Sequence, residues 1–268
     1  MNGHGPVVVG VDGTAAGLAA VEAAAWEADR RGAALQLAHA LTWASPHVPA
    51  GVAPWDPDGA RARDRVNRAF SDAEGRARRV APHLVITREV LVGAPDTVLE
   101  SESRAASLAV VGAHRIEGAR GRLHGSVVGR LTARAGCPVL VVGGRHTRTG
   151  PVVLAADESA AAREAAEFAF AEASERGTDL VVLHARRSGR TTADALSGLR
   201  ERYPHVTVRT PSARGRRHRA LVEASVDAQL VVVGVRRGGT TAVLRGSEGR
   251  SVLRDAHCPV ALVPAADR

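Results

Sequence analysis

Short apolar segments alternate with longer amphipathic segments along the chain. The apolar segments, such as "VVVGV" at 7–11, are rich in β-branched residues and predict buried strands. The segment that follows has apolar residues near helical spacing, and it runs from Thr14, a suitable N-cap, to a stop at Gly32. Strands that alternate with helices predict parallel pairing with right-handed crossovers. Because the strands are continuously apolar, we expect helices on both faces of the sheet.

The pattern is complete after five strands and then occurs a second time. Asp12 and Asp157, and likewise His39 and His184, are 145 positions apart, and "GCPVLVV" near the end of the first copy corresponds to "HCPVALV" in the second. A repeat of this length indicates two copies of one domain. We predict domains at 1–145 and 150–268, with the linker within 143–150. The fold class is α/β, with two doubly wound parallel five-stranded sheets, Rossmann-like, in tandem.

The predicted elements of the first copy follow from this periodicity. Strands are expected at 7–11, 34–40, 84–92, 108–112 and 138–142, and helices at 14–31, 60–81, 94–105 and after Ser126. The second copy is 23 residues shorter, and the loss falls after its second strand. The Pro- and Gly-rich segment at 41–60 of the first copy predicts a loop. Trp43 and Trp55 flank this loop. The two side chains either close over a ligand as a lid or pack on the other domain.

Composition limits the possible classes of protein. The chain has 268 residues, of which 45% are hydrophobic and only 3% aromatic, so the cores must be aliphatic. We find neither an apolar run long enough for a transmembrane helix nor a secretory signal, and we expect a cytoplasmic protein with no membrane partner. Cys137 and Cys258 are expected to be small buried residues at strand starts, with a disulfide between them as the lesser alternative.

The net charge is +8, and all 36 basic residues are arginine, which suggests a bacterium with a GC-rich genome. A basic run at 213–225 could bind nucleic-acid phosphates. No aromatic residues nearby offer a stacking platform for bases. We therefore favour the solvated start of a helix with Leu221 facing the core, and nucleic acid is an unlikely partner.

Two loops carry the candidate chemistry, because ligands of doubly wound sheets bind beyond the carboxyl ends of the strands. After the fourth strand, a Gly-rich loop runs from Gly112 to Gly125-Ser126 and then a helix. Glycines allow close backbone approach, and a helix N-terminus attracts phosphate. After the first strand, Asp12 could hold a ribose hydroxyl or Mg²⁺. The alternative is a tight turn in which Ser126 is an ordinary N-cap.

Several segments together resemble the universal stress protein family. These are "VVVGVDGT", "GAPDTVLE", "LAVVG", the loop that ends in "GSV", and "CPVLVV". The resemblance spans nearly the full chain as two fused copies. It implies strand order 3-2-1-4-5 and, as in some members, ATP binding through a loop of Gly, two residues, Gly, nine residues and Gly-Ser or Gly-Thr.

The resemblance places a nucleotide site in the first copy. Ala40 matches the position whose backbone meets adenine, and Asp12 is also the candidate Mg²⁺ ligand. Arg115 stands where the family has its second loop glycine, and its guanidinium could instead bind a phosphate. The implied cofactor-binding residues are Val11, Asp12, Gly13, Ala40, Gly112, His114, Arg115, Gly125, Ser126 and Val127.

The second copy departs further from the motif. Its first loop reads "LAADE", where Glu158 would repel a triphosphate, and its Gly-rich loop is one residue shorter. The candidate residues that remain are Asp157, Gly234, Arg237, Gly246 and Ser247.

The resemblance implies a nucleotide-responsive regulatory or protective stress-response protein, with ATP as cofactor and Mg²⁺ as a further candidate. We find no catalytic constellation and expect at most weak ATP hydrolysis. One alternative is a nucleotide-free interaction protein whose Arg-substituted loops have lost ATP, and another is arginine-mediated nucleic-acid binding. In the family the last strand commonly pairs with its counterpart. We therefore expect an internal pseudo-dimer of the two copies, and a homodimer is a further possibility.

Overall fold

The computed structural model describes residues 5–42, 57–113, 127–144, 147–157, 161–184, 190–211, 217–235 and 252–265. The chain divides into two compact units, Met1–Gly112 and Ala113–Arg268. The first unit contains β1 (Val7–Gly10), α1 (Ala15–Arg31), β2 (Leu35–Leu41), α2 (Pro57–Val80), β3 (Ile86–Val92), α3 (Pro95–Glu102) and β4 (Leu108–Gly112). The second contains α4 (Val127–Arg134), β5 (Val139–Val142), β6 (Val152–Ala156), α5 (Ala162–Glu175), β7 (Leu180–His184), α6 (Arg190–Arg202), β8 (Val208–Arg209), α7 (Arg217–Ala224), β9 (Leu230–Val235) and β10 (Val260–Pro264).

The first unit holds a parallel sheet in the order β3-β2-β1-β4. Val9 of the central strand β1 lies opposite Leu37 on one side and Val110 on the other. Val7, Val8 and Val9 have no exposed surface. The apolar run at 7–11 therefore forms a buried central strand, as the sequence predicted.

The second unit contains the complete sheet of the second copy. Its strands run β10-β9-β6-β7-β8, all parallel, which is the predicted order 3-2-1-4-5 read from the other edge. β5, the last strand of the first copy, pairs antiparallel with β10. The fifth strand of the first copy therefore shares a sheet with the second copy.

The β5–β10 ladder is symmetric about one residue pair. Leu140 lies opposite Ala261, and the flanking pairs are Val139 with Leu262 and Val141 with Val260. In the repeat, Val139 corresponds to Val260 and Val141 to Leu262, so exchanging the copies reproduces the same register. This is the pattern of an isologous strand pair.

Close backbone contacts hold both ends of the predicted linker. Gly144 has φ 73°, and a Cβ there would lie 2.4 Å from the carbonyl oxygen of His257. Gly150 has φ 106°, and its Cβ would lie 2.0 Å from the carbonyl oxygen of Asp227. Both positions therefore require glycine. The two ends of the linker therefore have fixed backbone positions within the second unit.

Cys137 and Cys258 are buried, and neither forms a disulfide. They precede β5 and β10, and the antiparallel register puts them at opposite ends of the ladder. Along the ladder, Cys258 is six residues away from the position that lies opposite Cys137. At the rise of a strand this separation is roughly 20 Å, which is far beyond the distance that a disulfide can span. Burial raises the pKa of the Cys258 thiol to about 12, so this cysteine is a packing residue with an unreactive thiol.

The basic run at 213–225 contributes α7, and Leu221 is 1% exposed. The favoured interpretation, a helix with Leu221 facing the core, agrees with this burial. Arg219 on the same helix pairs with Glu223 at 2.8 Å in solvent. Trp43 and Trp55 lie outside the described residues, so the lid hypothesis remains a prediction.

A buried ion pair at equivalent positions of the two copies is a feature that the sequence interpretation missed. In the second copy, Arg176 lies 2.8 Å from Glu172, and both side chains are at most 3% exposed. Arg176 also donates to Gln229 Oε1 at 2.9 Å, and Gln229 Nε2 donates to the Gly150 carbonyl at 2.6 Å. In the first copy the equivalent carboxylate, Glu27, is contacted by Arg30 and Arg31. In the second copy the pair thus links the end of α5 to Gln229 and, through it, to Gly150.

We expect the variant Arg176→Met to be strongly destabilised, because it leaves the Glu172 carboxylate buried without its ionic partner. Breaking a buried pair costs about 3–5 kcal/mol, and about 1 kcal/mol lowers the melting temperature of a domain of this size by roughly 2–4 °C. Calorimetry should therefore show a fall of roughly 6–20 °C.

The matched control is Arg163→Met, which breaks the same kind of pair with Glu167 where the two side chains are 78% and 44% exposed. Its melting temperature should stay within about 2 °C of the wild type, because exposed pairs contribute little. Equal effects of the two substitutions would contradict a structural role for the buried pair.

Candidate functional site

The described residues include part of each predicted nucleotide site. In the first unit these are Val11, Asp12, Gly13, Ala40 and Gly112, and Val127 is the first residue of α4 in the second unit. In the second copy they are Asp157 and Gly234. The other predicted residues lie outside the described ranges: His114, Arg115, Gly125, Ser126, Glu158, Arg237, Gly246 and Ser247.

The turn that joins β1 to α1 carries the first group of candidates. Val11 is buried, and its N–H donates to the Ala38 carbonyl at 2.9 Å, so the chain stays attached to the sheet up to this residue. Asp12 and Gly13 are exposed, and Gly13 has φ 75°, a conformation that favours glycine. The chain therefore turns away from the strand with the Asp12 carboxylate at the surface.

Hydrogen bonds within the turn fix the carboxylate of Asp12. Its Oδ1 accepts from the Thr14 N–H at 2.9 Å and from the Thr14 hydroxyl at 2.7 Å. Thr14 is the N-cap of α1, and its Oγ1 accepts from the Gly17 N–H at 3.0 Å. The sequence predicted this cap correctly. Because one chain of bonds joins the carboxylate to the helix, Asp12 has a defined orientation before any ligand binds.

Gly17 is a site residue that the sequence interpretation missed. A Cβ on this residue would lie 2.2 Å from Asp12 Oδ1 and 3.2 Å from Asp12 Cγ. The observed position of the carboxylate therefore depends on the absence of a side chain one turn into α1. The available signal was a glycine in the first turn of an Ala-rich helix, where glycine reduces helix stability.

His39 supports the turn from the neighbouring strand. Its Nδ1 lies 2.7 Å from the Val11 carbonyl oxygen, so the ring donates to the residue before Asp12. Its ring also meets Phe70 edge to face, with centroids 6.1 Å apart. His184 ends β7 at the equivalent position, opposite Ala156. In the first copy this histidine therefore has a hydrogen-bonding role.

Ala40 lies within β2 and is opposite Leu91 of β3. The strand continues to Leu41, one residue beyond its predicted end. The residue is half-buried. The strand pairing therefore fixes its backbone on the sheet.

Gly112 and Gly234 have a packing role in both copies. A Cβ on Gly112 would lie 2.4 Å from the carbonyl oxygen of Ala16, in the first turn of α1. A Cβ on Gly234 would lie 3.0 Å from the carbonyl oxygen of Ala161, the residue equivalent to Ala16. Close approach of the helix to the strand thus explains these glycines without a ligand, so they are weak evidence for a nucleotide.

The described residues at the start of the first helix differ between the two copies. α5 begins at Ala162, and its N-cap residue, Ala161, makes no side-chain hydrogen bond to the helix. Ala162 occupies the position equivalent to Gly17. Asp157 is half-buried, whereas Asp12 is exposed. The two aspartates therefore have different surroundings despite their equivalent places in the sequence.

Asp12 is the one carboxylate among the described residues of the predicted first-copy site. Within the described part of the chain, His, Cys, Asp and Glu side chains form no cluster of three or more that could hold a metal ion. Asp12 fits Mg²⁺ as one oxygen ligand, and the remaining ligands would have to come from water or phosphate. None of the described helices is long and apolar enough to cross a membrane.

Comparison with known proteins gives a consistent result. Residues 4–143 and 186–264 match the universal stress protein family in two segments. A universal stress protein of Mycobacterium tuberculosis is 35% identical over 283 residues, covering 95% of this chain and 94% of that protein. One from Mycobacterium bovis is 33% identical over 288 residues, covering 96% of each.

A solved structure has the same fold over the full length. The crystal structure of a universal stress protein from Archaeoglobus fulgidus aligns with a TM-score of 0.73 at 19% identity. The alignment covers 97% of this chain and 98% of that one. The tandem arrangement is therefore found in another protein of the same fold.

We expect Gly112→Ala to destabilise the protein more than Gly234→Ala. The added methyl group meets the Ala16 carbonyl oxygen at 2.4 Å in the first variant and the Ala161 carbonyl oxygen at 3.0 Å in the second. Backbone must move to relieve the shorter contact, at a cost of about 1–3 kcal/mol. Denaturant unfolding would measure both variants without nucleotide. An unchanged midpoint for Gly112→Ala would contradict the packing role.

Proposed function

The chain belongs to the universal stress protein family in its tandem form, and from this premise we propose that it is an ATP-binding regulatory or protective stress-response protein. The proposed site lies in the first copy. The observation that carries the proposal is the fixed, exposed Asp12 carboxylate at the carboxyl end of a central parallel strand, the place where doubly wound sheets bind ligands.

The chemistry of Asp12 fits a ribose. A carboxylate is a strong acceptor for hydroxyl donors, and charge-assisted hydrogen bonds are about twice as strong as neutral ones. Gly13, next to it, has no side chain, and a Cβ there would meet only the Ala69 methyl group at 3.6 Å. The ligand can therefore approach the turn closely. In this proposal Val11 and Gly13 shape the turn, and Ala40 offers its backbone to the adenine.

The Gly-rich loop supplies the phosphate contacts in the proposal. Arg115 would bind a phosphate with its guanidinium in place of the family's second glycine. Ser126 would add a hydroxyl, and the start of α4 at Val127 would add backbone N–H groups. Asp12 would be the side-chain ligand for a Mg²⁺ that accompanies the nucleotide, since this cation prefers oxygen ligands. Gly112, His114 and Gly125 complete the proposed set.

The second copy is proposed to bind nucleotide weakly or not at all. Its candidates are Asp157, Gly234, Arg237, Gly246 and Ser247, next to the repulsive Glu158. Among the described residues, α5 starts at Ala162 without a side-chain cap, whereas Thr14 caps α1 in the first copy. We propose that this copy contributes mainly a structural scaffold.

We further propose that the two copies form an internal pseudo-dimer through β5 and β10. The symmetric register about Leu140 and Ala261 supports this arrangement, because each copy presents equivalent strand positions to the other. A homodimer would require a further surface, and sedimentation velocity would detect it.

We expect the wild type to bind a fluorescent ATP analogue and Asp12→Asn to bind it about 10- to 100-fold more weakly, because a charge-assisted hydrogen bond contributes about 1.5–3 kcal/mol. Asp157→Asn is the matched control, since it makes the same change in the second copy. Its affinity should equal that of the wild type. Equal binding by Asp12→Asn and the wild type would exclude the proposed site.

The same titration separates the alternatives. A ligand that binds the folded state at about 100 times its Kd adds about 2.7 kcal/mol of stability, so millimolar ATP should raise the melting temperature. No rise and no binding would favour a nucleotide-free interaction protein. Binding to DNA or RNA that weakens steeply as salt is added would favour the arginine-mediated alternative.

A further inference from the structure

We propose that Arg65, on the third turn of α2, stacks its guanidinium on the base of the nucleotide and gives the first copy a preference for purines. The inference rests on the proposed function and deepens it, because it adds a residue that contacts the base. In the proposed function Asp12 holds the ribose and Ala40 meets the adenine. Arg65 comes from a helix that contributes no other residue to that site.

The first three turns of α2 extend past the carboxyl end of the sheet. Two contacts fix how α2 lies along α1. A Cβ on Gly13 would lie 3.6 Å from the Ala69 methyl group, and Arg76 is paired with Glu22. The two helices therefore run side by side in the same direction. α1 begins just after Gly13, whereas α2 already includes residues 57–68 before Ala69, a length of about 18 Å.

The projecting part of α2 also flanks the end of β2. The buried ring of Phe70 meets the ring of His39, with centroids 6.1 Å apart. A helix that follows a strand of a parallel sheet runs antiparallel to it, so the residues before Phe70 lie beyond His39, on the side of Ala40. Val66 precedes Phe70 by one turn on the same side of α2, and it is half-buried. It therefore offers an apolar wall near the proposed position of the adenine.

Arg65 stands in the same relation to Ala69. Residues four apart share one face of a helix, so Arg65 lies on the face of α2 that carries Ala69 beside Gly13. It is one turn, about 6 Å, further from the sheet. Arg65 and Val66 therefore border the space outside the ends of β1 and β2, where the base is proposed to bind.

The guanidinium of Arg65 is available to a ligand. Its side chain is exposed, and it has no ion-pair partner among the described residues. Further along the same helix, by contrast, Arg76 is paired with Glu22, and Arg78 lies 2.8 Å from Glu74. Binding a nucleotide at Arg65 therefore breaks no ion pair of the described structure.

The position of Arg65 favours the base over the phosphates as its target. α2 lies towards β2, whereas the phosphate contacts are proposed to come from the loop after β4, on the other side of β1. A planar guanidinium stacks on an aromatic ring, and a purine offers a larger face than a pyrimidine. Stacking does not distinguish the edges of bases, so Arg65 favours purines as a class.

The experiment measures the affinities of ATP, AMP and UTP for the full chain, by competition with the fluorescent ATP analogue in one Mg²⁺ buffer. Arg65→Ala should bind ATP about 5- to 30-fold more weakly than the wild type, the range of a cation–π contact. AMP should lose the same factor, because it carries the same base. UTP should lose less, so the preference for ATP over UTP should fall. The melting temperature should be unchanged, since Arg65 is exposed and alanine favours helix.

Two further variants separate stacking from charge. Arg65→Lys keeps the positive charge without the planar group, and we expect it to bind ATP as weakly as Arg65→Ala. Arg79→Ala is the matched control, because it removes an exposed arginine from the last turn of the same helix. It changes the net charge as Arg65→Ala does, and its affinities should equal those of the wild type.

The outcomes separate this inference from the function on which it rests. If the wild type binds no ATP, the proposed function fails and the inference fails with it. If the wild type binds ATP and Arg65→Ala binds all three nucleotides equally well, Arg65 makes no contact and the proposed site stands. A larger loss for ATP than for AMP would assign Arg65 to the phosphates and overturn the stacking role. Wild-type binding by Arg65→Lys would also overturn it.

Discussion

The candidate site depends on the close contact between the first turn of α1 and the end of β4. Gly112 allows the strand backbone to approach the Ala16 carbonyl oxygen, and any larger residue would separate helix and strand. This contact holds the start of α1 beside the end of β1, so the intervening turn is short. Because the turn is short, Thr14 caps the helix and also binds Asp12. A packing constraint thus positions a polar group at the edge of the sheet.

The second copy retains the packing and differs in the polar group. Gly234 approaches Ala161 as Gly112 approaches Ala16, and both copies bury a Glu–Arg pair on the helix after their first strand. Among the described residues the start of the helix differs, because Ala162 replaces Gly17 and α5 has no side-chain cap. Core packing tolerates few changes, whereas an exposed turn tolerates many. Duplication could therefore preserve the fold while the two turns diverged.

The β5–β10 ladder links the two copies at the level of the backbone. Its symmetric register means that each copy presents an equivalent edge. Gly144 and Gly150 hold the ends of the connecting segment close to backbone carbonyls of the second unit, so the connection is ordered at both ends. Cys137 and Cys258 lie at opposite ends of this ladder, which excludes the disulfide that their equivalent positions in the sequence allowed. Equivalent position in a repeat is thus no evidence for proximity.

The sequence by itself determined the alternation of strands and helices, the duplication, the family resemblance with its strand order, and Asp12 and Thr14 as local features of the first turn. These depend on periodicity and on residues near each other in the chain, which one sequence records directly. Only the tertiary structure decided the symmetric register between β5 and β10, the burial of Glu172 and Arg176, and the contact of Gly112 with a helix backbone. It also showed the role of Gly17, because the space a missing side chain leaves becomes visible only when the atoms around it have positions.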